Sequence, residues 1–342
     1  MVRILLFASL LFPFAGFGQS YELSSLNMDT KTSIRGLSII SDSVAWASGS
    51  NGHIGKTIDG GQNWKWMQPL GYEKLDFRDI EAFDADRAII VNAGSPAYIL
   101  KTEDGGKSWK EVYKNIDSAI FLDGMDFWSE KRGIAFGDPI QNHLQLLITN
   151  DGGDSWTDIS SKLGFDMEKG EAGFAASGTT IKALPGGRVW IATGGVKSNI
   201  YTSEDYGINW KKFECPILQG SASTGVFGMD FYEGSYGSQG IVVGGDYTKD
   251  KENSNNVLLT SDGGKTWNKP SKPVYGYRSG VLMYNDKNYI ATGSSGTDIS
   301  KDGGQTWYHI SDEGFNVVKR AKNGGLVLLA GDKGQIFSFA IK

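Results

Sequence analysis

One eight-residue phrase returns six times along this chain: Ser or Thr, any residue, Asp, any residue, Gly, any residue, a short polar residue, then Trp. The copies are Thr57-Asp59-Gly61-Asn63-Trp64, Thr102-Asp104-Gly106-Ser108-Trp109, Thr149-Asp151-Gly153-Ser155-Trp156, Ser203-Asp205-Gly207-Asn209-Trp210, Thr260-Asp262-Gly264-Thr266-Trp267 and Ser300-Asp302-Gly304-Thr306-Trp307. Successive tryptophans lie 45, 47, 54, 57 and 40 residues apart. A period in that range, flanked by strand-like runs, marks an array of equivalent β units. Within each phrase the Asp can accept backbone N–H bonds and close a turn. The Gly supplies positive φ, and the Trp offers a large apolar face to a neighbouring sheet. Six equivalent copies would be spread around an array and could not converge on one reaction centre. Asp59, Asp104, Asp151, Asp205, Asp262 and Asp302 are therefore expected to be structural, with Trp64, Trp109, Trp156, Trp210, Trp267 and Trp307 as packing pegs. The run Asp151–Asp154 lacks the later Glu of a calcium loop, so no metal site is expected.

The pattern resembles the BNR or Asp-box repeat, which implies that each phrase joins the third and fourth strands of a propeller blade. The flanks agree. "SIRGLSII", "SVAWASGS" and "HIGKTI" precede the first box, and "GMDFW" at 124–128 returns as "GMDFY" at 228–232. After the sixth box a boxless set, "FNVVKRA", "GLVLLAG" and "GQIFSFAI", stops one strand short of a blade. The segment "SYELSSLN" at 20–27 is free to supply that strand. The expected fold is all-β: a seven-bladed β-propeller of four-stranded antiparallel blades, closed by the N-terminal strand completing the last blade. In its repeat order and boxless last blade the chain is similar to propellers of the photosystem II assembly-factor type. That resemblance implies an exported, non-catalytic scaffold holding a protein partner through a basic patch on one face.

The N-terminus, MVRILLFASLLFPFAGFGQS, has one positive charge, a short apolar run and small residues at 16 and 18. It reads as a signal peptide over 1–18, leaving 19–342 as one propeller domain, exported and periplasmic or secreted. No membrane span is expected in the mature chain. The formal net charge of −5 offers no field to attract nucleic acid. Cys215 is the only cysteine, so no disulfide framework exists and this thiol is expected to be a small buried hydrophobe. His53, His143 and His309 lack ligand spacing.

Binding is expected on the face opposite the boxes, around the mouth of the axial channel. The longer loops 158–174, 214–224, 245–256 and 269–278 lie there. The pairs Arg35-Gly36, Arg78-Asp79, Asp123-Gly124, Ser177-Gly178, Phe227-Gly228, Ser279-Gly280 and Phe315-Asn316 are read as one position of the repeat, ringing the entrance. Arg35, Arg78 and Arg278 would bind a carboxylate or an acidic patch. Asp123, Ser177 and Ser279 complete the expected ring, with Asp138, Lys197, Asp246 and Tyr247 from second-to-third strand loops beside it. The expected partner is a protein or carbohydrate, and the chain is expected to be a monomer without a cofactor. Two alternatives stand beside this reading. One is a glycoside hydrolase of the sialidase or glucanase kind, with Asp123, Asp126 and Asp138 as available carboxylates. The other is an oxidoreductase, for which no dinucleotide motif is present.

Overall fold

The strands around each box pair into seven antiparallel sheets, set as blades about one axis in the computed structural model of this chain, which describes residues 21–26 and 30–341. The expected signal segment, 1–18, lies outside the described residues. Blade one shows the plan: Ile34–Ile39, Ala45–Gly49, Ile54–Thr57 and Lys65–Met67 pair in chain order from the axis outward. The innermost strands of blades two to seven are Asp76–Ala82, Leu122–Phe127, Ile181–Leu184, Thr224–Phe231, Gly280–Met283 and Val317–Arg320. Blade seven ends with Ile336–Ile341, and Tyr21–Ser25 pairs antiparallel with it, Tyr21 opposite Ile341. The closing strand thus removes the last open edge. Among the described residues the only helical turns are four short 3-10 segments.

Blade five departs from the four-stranded plan. Its outer position is held by a single bridge, Leu259 to Asn268. Pro270 and Pro273 follow, and proline has no N–H to continue a ladder. On the inner side its sheet gains two short strands, Glu171–Ala172 and Gly194–Gly195, which makes five.

Seven apolar clusters hold the ring, one at each junction between blades. Each box tryptophan packs into the junction with the preceding blade, Trp64 against blade seven and Trp307 against blade five. The junction of blades six and seven has no box tryptophan. Tyr21 and Leu23 of the closing strand, with Phe337 and Ile341, fill it.

The boxes themselves are hydrogen-bonded turns. In blade one, Asn63 N–H and its side-chain amide donate to the two oxygens of Asp59 at 2.9 and 2.7 Å. Thr57 donates its hydroxyl to Asp59 at 2.8 Å and accepts the Gly61 N–H at 3.0 Å. The Asp thus reaches an N–H four residues on, and in blade five also the Lys265 N–H three residues on at 3.1 Å. The five other boxes repeat the set. One more N–H in each turn donates to a carbonyl of the first-to-second strand turn of the same blade, as Gly60 does to Ser43 and Gly303 to Lys287. Both sets of turns therefore lie on one face.

Strand pairing places the inner strands in register. Ser38, Glu81, Asp126, Lys182, Asp230, Leu282 and Lys319 form one layer, each opposite the equivalent residue of its second strand. In this layer Ser38 accepts the N–H of Ala82, Asp126 that of Ala183, and Asp230 that of Met283. Each of these ties one blade to its neighbour around the axis.

Candidate functional site

Toward the opposite face, four inner strands carry a β-bulge. The extra residues are Arg35, Arg78, Asp123 and Phe227. A bulge leaves one residue outside the ladder and re-aims its side chain. Counting along the same register, the rim of the channel is Arg35, Arg78, Asp123, Thr179, Phe227, Ser279 and Asn316. Two expected members shift. Blade seven presents Asn316 rather than Phe315. In blade four Thr179, two residues beyond Ser177, takes the rim position and Ser177 is displaced.

Residues 173–178, at the end of the long connection into blade four, form a strap laid across the mouth. Arg35 Nη1 donates to the Ala176 carbonyl at 3.1 Å and Arg78 Nη1 to that of Ala175 at 3.4 Å. Ser177 donates its hydroxyl across the axis to the Ser279 carbonyl at 2.7 Å. Two glycines make the close approach possible. A Cβ on Gly173 would stand 2.1 Å from Asp123 Oδ2, and one on Gly178 2.2 Å from Asp79 Oδ1. Behind the strap, buried Glu171 receives Thr193 Oγ1 at 2.5 Å, Asn199 Nδ2 at 2.9 Å and Tyr201 OH at 3.1 Å, which pins the segment to blade four.

Beside the strap is a pocket of about 410 Å³. One wall is polar: Arg35, Arg78, Ser279, Ser294, Asn316 and Asp332. The other is aromatic. Phe174 stacks on Phe227 at 4.0 Å between ring centroids, and Tyr277 and Tyr247 stand edge-on to Phe227 at 4.9 and 5.9 Å. Phe174, Tyr247 and Tyr277 come from three of the long loops. Among the described residues, the Ala176 bond is the only hydrogen bond of the Arg35 side chain, which lines the pocket with N–H groups to spare. Burial and neighbouring Arg78 lower its proton affinity, and Asp332 works against them. A guanidinium stays charged through such shifts. Arg78 is tied to Asp76 at 2.8 Å and remains a third exposed. Burial alone would raise the Asp332 carboxyl, but Ser33, Asn316 and Arg35 outweigh it and hold the group below its ordinary value. Burial pushes the Tyr277 hydroxyl up, with Arg35 opposing.

The pocket therefore joins Arg35, Arg78, Ser279 and Tyr247 of the expected site and leaves out the others. Arg278 is fully buried, with Nε 2.9 Å and Nη2 2.7 Å from Asp298 Oδ2, and Nη1 bonded to Ser295 and the Tyr277 carbonyl. Next to Ser279 in an extended segment, it points to the opposite side, into blade six. Asp123 is 1% exposed beneath Gly173, and neither of its oxygens meets a donor in good geometry. Burial, then neighbouring Asp138, push its carboxyl well above the usual range. Asp138 accepts the Gly173 N–H at 2.8 Å and is itself raised by burial. Asp246 bonds Thr248 and starts a 3-10 turn. Lys197 is exposed and faces Glu214 at 3.3 Å. Sequence reasoning placed Phe227 and the Phe315-Asn316 pair at the entrance and missed Phe174, Tyr277 and Asp332. The signal available was the aromatic residues of the long loops, read together with the loop lengths.

Among the described residues no three His, Cys, Asp or Glu side chains gather to hold a metal ion. Residues 18–117, covering the closing strand and the first two blades, match the family model described as Photosynthesis system II assembly factor YCF48. A comparison with curated proteins found no match. Among solved structures, YCF48 bound to a D1 peptide is 18% identical, with a TM-score of 0.67 over 94% of this chain and 97% of that one. YCF48 from Cyanidioschyzon merolae is 15% identical, with a TM-score of 0.65 over 93% and 98%. The GH74 xyloglucanase of Xanthomonas campestris is 14% identical, with a TM-score of 0.60 over 92% of this chain and 53% of that one, so this chain spans about half of the enzyme. The chain is thus a BNR-like seven-bladed propeller similar to the photosystem II assembly factor.

Proposed function

We propose that this chain is a non-catalytic, exported binding propeller whose mouth pocket holds an acidic segment of a partner polypeptide. The observation that carries this reading is the pocket itself. Two arginines with unused N–H groups stand opposite an aromatic wall. Arginine N–H groups match a carboxylate in geometry and charge. Aromatic rings with few rotatable bonds make low-entropy contacts with a neighbouring apolar side chain. The likeness to YCF48, solved with a D1 peptide, supports a polypeptide ligand over a sugar.

A glycan hydrolase would need two carboxylates facing its substrate with room for water or a covalent intermediate. Asp123 lies beneath the strap and Asp138 is engaged with it. The available carboxylates therefore favour the binding reading. We place the protein beyond the cytoplasmic membrane because residues 1–18 carry the pattern of a secretory signal. As a monomer it would present one such mouth.

The test is affinity capture from an envelope extract with the mature chain as bait, followed by titration of the captured partner's segments. The double variant Arg35→Ala/Arg78→Ala is expected to weaken binding at least tenfold, about 1.4 kcal/mol or more. Equal affinity in the double variant would exclude the mouth pocket. Turnover of a xyloglucan or sialoside panel, lost in Asp138→Asn, would favour the hydrolase.

A further inference from the structure

The second chamber of the molecule is the axial channel on the box side of the strap. It encloses about 480 Å³ against the inner strands of blades four to seven, from Thr179 under the strap to Glu233, Tyr284 and Gly324 at the box-face turns. Its charged layer is the register layer already described. The carboxylates of that layer are all satisfied. Asp126 accepts the Phe127 and Ala183 N–H groups at 2.8 and 2.7 Å. Asp230 accepts the Phe231 and Met283 N–H groups and pairs with Lys182 at 3.0 Å. Glu81 takes the ammonium of Lys322, which also donates to the Ala82 carbonyl at 2.8 Å.

Lys319 differs. It lines the chamber half-buried, yet among the described residues its ammonium has no hydrogen bond and no ion pair. Its neighbours in the layer are Leu282 on one side and Ser38 on the other, neither charged. At this level three other junctions carry an acceptor (Ser38, Asp126, Asp230) reaching toward the next blade; the junction of blades seven and one carries an ammonium. The carboxyl that feels Lys319 is Asp79, one layer nearer the strap. Burial pushes that carboxyl well above its ordinary range, and its two oxygens already accept the N–H groups of Ile80 and Met125 at 2.9 and 2.8 Å. Both oxygens are committed to backbone donors, and neither pairs with Lys319. Arg320 at the lower rim donates to the Tyr284 and Gly324 carbonyls, and Glu233 is the rim's acid. An ammonium held in a walled channel without a counter-charge is costly, and an anion from solution removes that cost.

We infer that the box-side chamber is a binding site for a small oxyanion, a carboxylate or inorganic phosphate, held by the ammonium of Lys319. The volume admits such an ion with part of its hydration shell. The site is separate from the mouth pocket, since the strap and the layer of Asp79 lie between them.

The experiment is a titration of the purified chain with sodium phosphate and, separately, with malonate at constant ionic strength. Binding is read by calorimetry and by thermal midpoint. Wild-type protein should bind one of the two saturably, and the two arms tell inorganic phosphate from organic carboxylate. Lys319→Met should weaken that binding at least tenfold, Lys319→Arg should retain it, and Arg35→Ala/Arg78→Ala should leave it unchanged. If Lys319→Met does not fold, a bromide soak of wild-type crystals decides: an anomalous peak within hydrogen-bond reach of Lys319 Nζ is required. Absence of saturable binding of either anion, equal binding by Lys319→Met, or no such peak overturns the inference.

Discussion

At the scale of single residues, the six boxes show why Ser and Thr share one position and valine is absent from it. The hydroxyl of Thr57 both donates to Asp59 and accepts a buried N–H from Gly61. Thr57→Val keeps the shape and strands that N–H, so it should lower the unfolding free energy by about 1–3 kcal/mol, whereas Thr57→Ser should change it by well under that. Denaturant titration measures both. The box aspartates also set an acid limit. In Asp104 the Ser108 hydroxyl and N–H bring the carboxyl down to about 2. In Asp151 and Asp262 slight burial pushes upward, but Ser155 and Thr266 overcome it and again give about 2. Since the unfolded value is about 3.9, the unfolded chain binds more protons between these limits. The contribution is complete above about pH 5 and is lost as pH falls through 4 toward 2. Stability measured from pH 5 to pH 2 should fall more steeply for wild type than for Asp262→Asn. Asp123 has the opposite sign. Its folded carboxyl titrates above the unfolded value, so it costs stability as pH rises past about 4. Asp123→Asn should therefore raise the midpoint at pH 7, with the difference fading below pH 4.

At the scale of elements, the strap and the closing strand carry the sharpest expectations. Gly178 has φ +64° and sits against the Asp79 carboxyl. Gly178→Ala should cost about 1–3 kcal/mol from backbone strain alone, and it should displace the strap, changing affinity at the mouth. Hydrogen exchange of 173–178 would register the displacement. A chain beginning at residue 27 leaves Ile336–Ile341 as an open edge. Light scattering should show it self-associating where the full ring does not. The boxes were legible in the sequence because their chemistry is local, spanning eight residues with fixed roles. The strap was not. Its course depends on the long connection into blade four, whose offset shows only against the register of neighbouring blades. Arg278 was misplaced for a related reason: it precedes the inner strand and turns into blade six, where its partner Asp298 lay twenty residues on.

At the scale of the whole molecule, each apolar cluster is shared by two blades, and no blade holds a complete core of its own. Cutting one junction exposes both faces. Far-UV circular dichroism and tryptophan fluorescence should therefore report one coincident unfolding transition, and separated transitions would show that blades melt independently. The seven-fold plan was readable from repeat spacing plus one surplus strand at the start and a last set one strand short. The mouth pocket was readable only in part, since Arg35 and Arg78 follow from the repeat register while Phe174, Tyr247 and Tyr277 meet through three unrelated loops. The pairing of Tyr21 with Ile341 has a temporal consequence as well. During synthesis Tyr21–Ser25 must wait for Ile336–Ile341, through every intervening blade. Until that strand emerges, the nascent chain carries two unmatched β edges at once, so the interval exposed to misassembly spans the making of all seven blades.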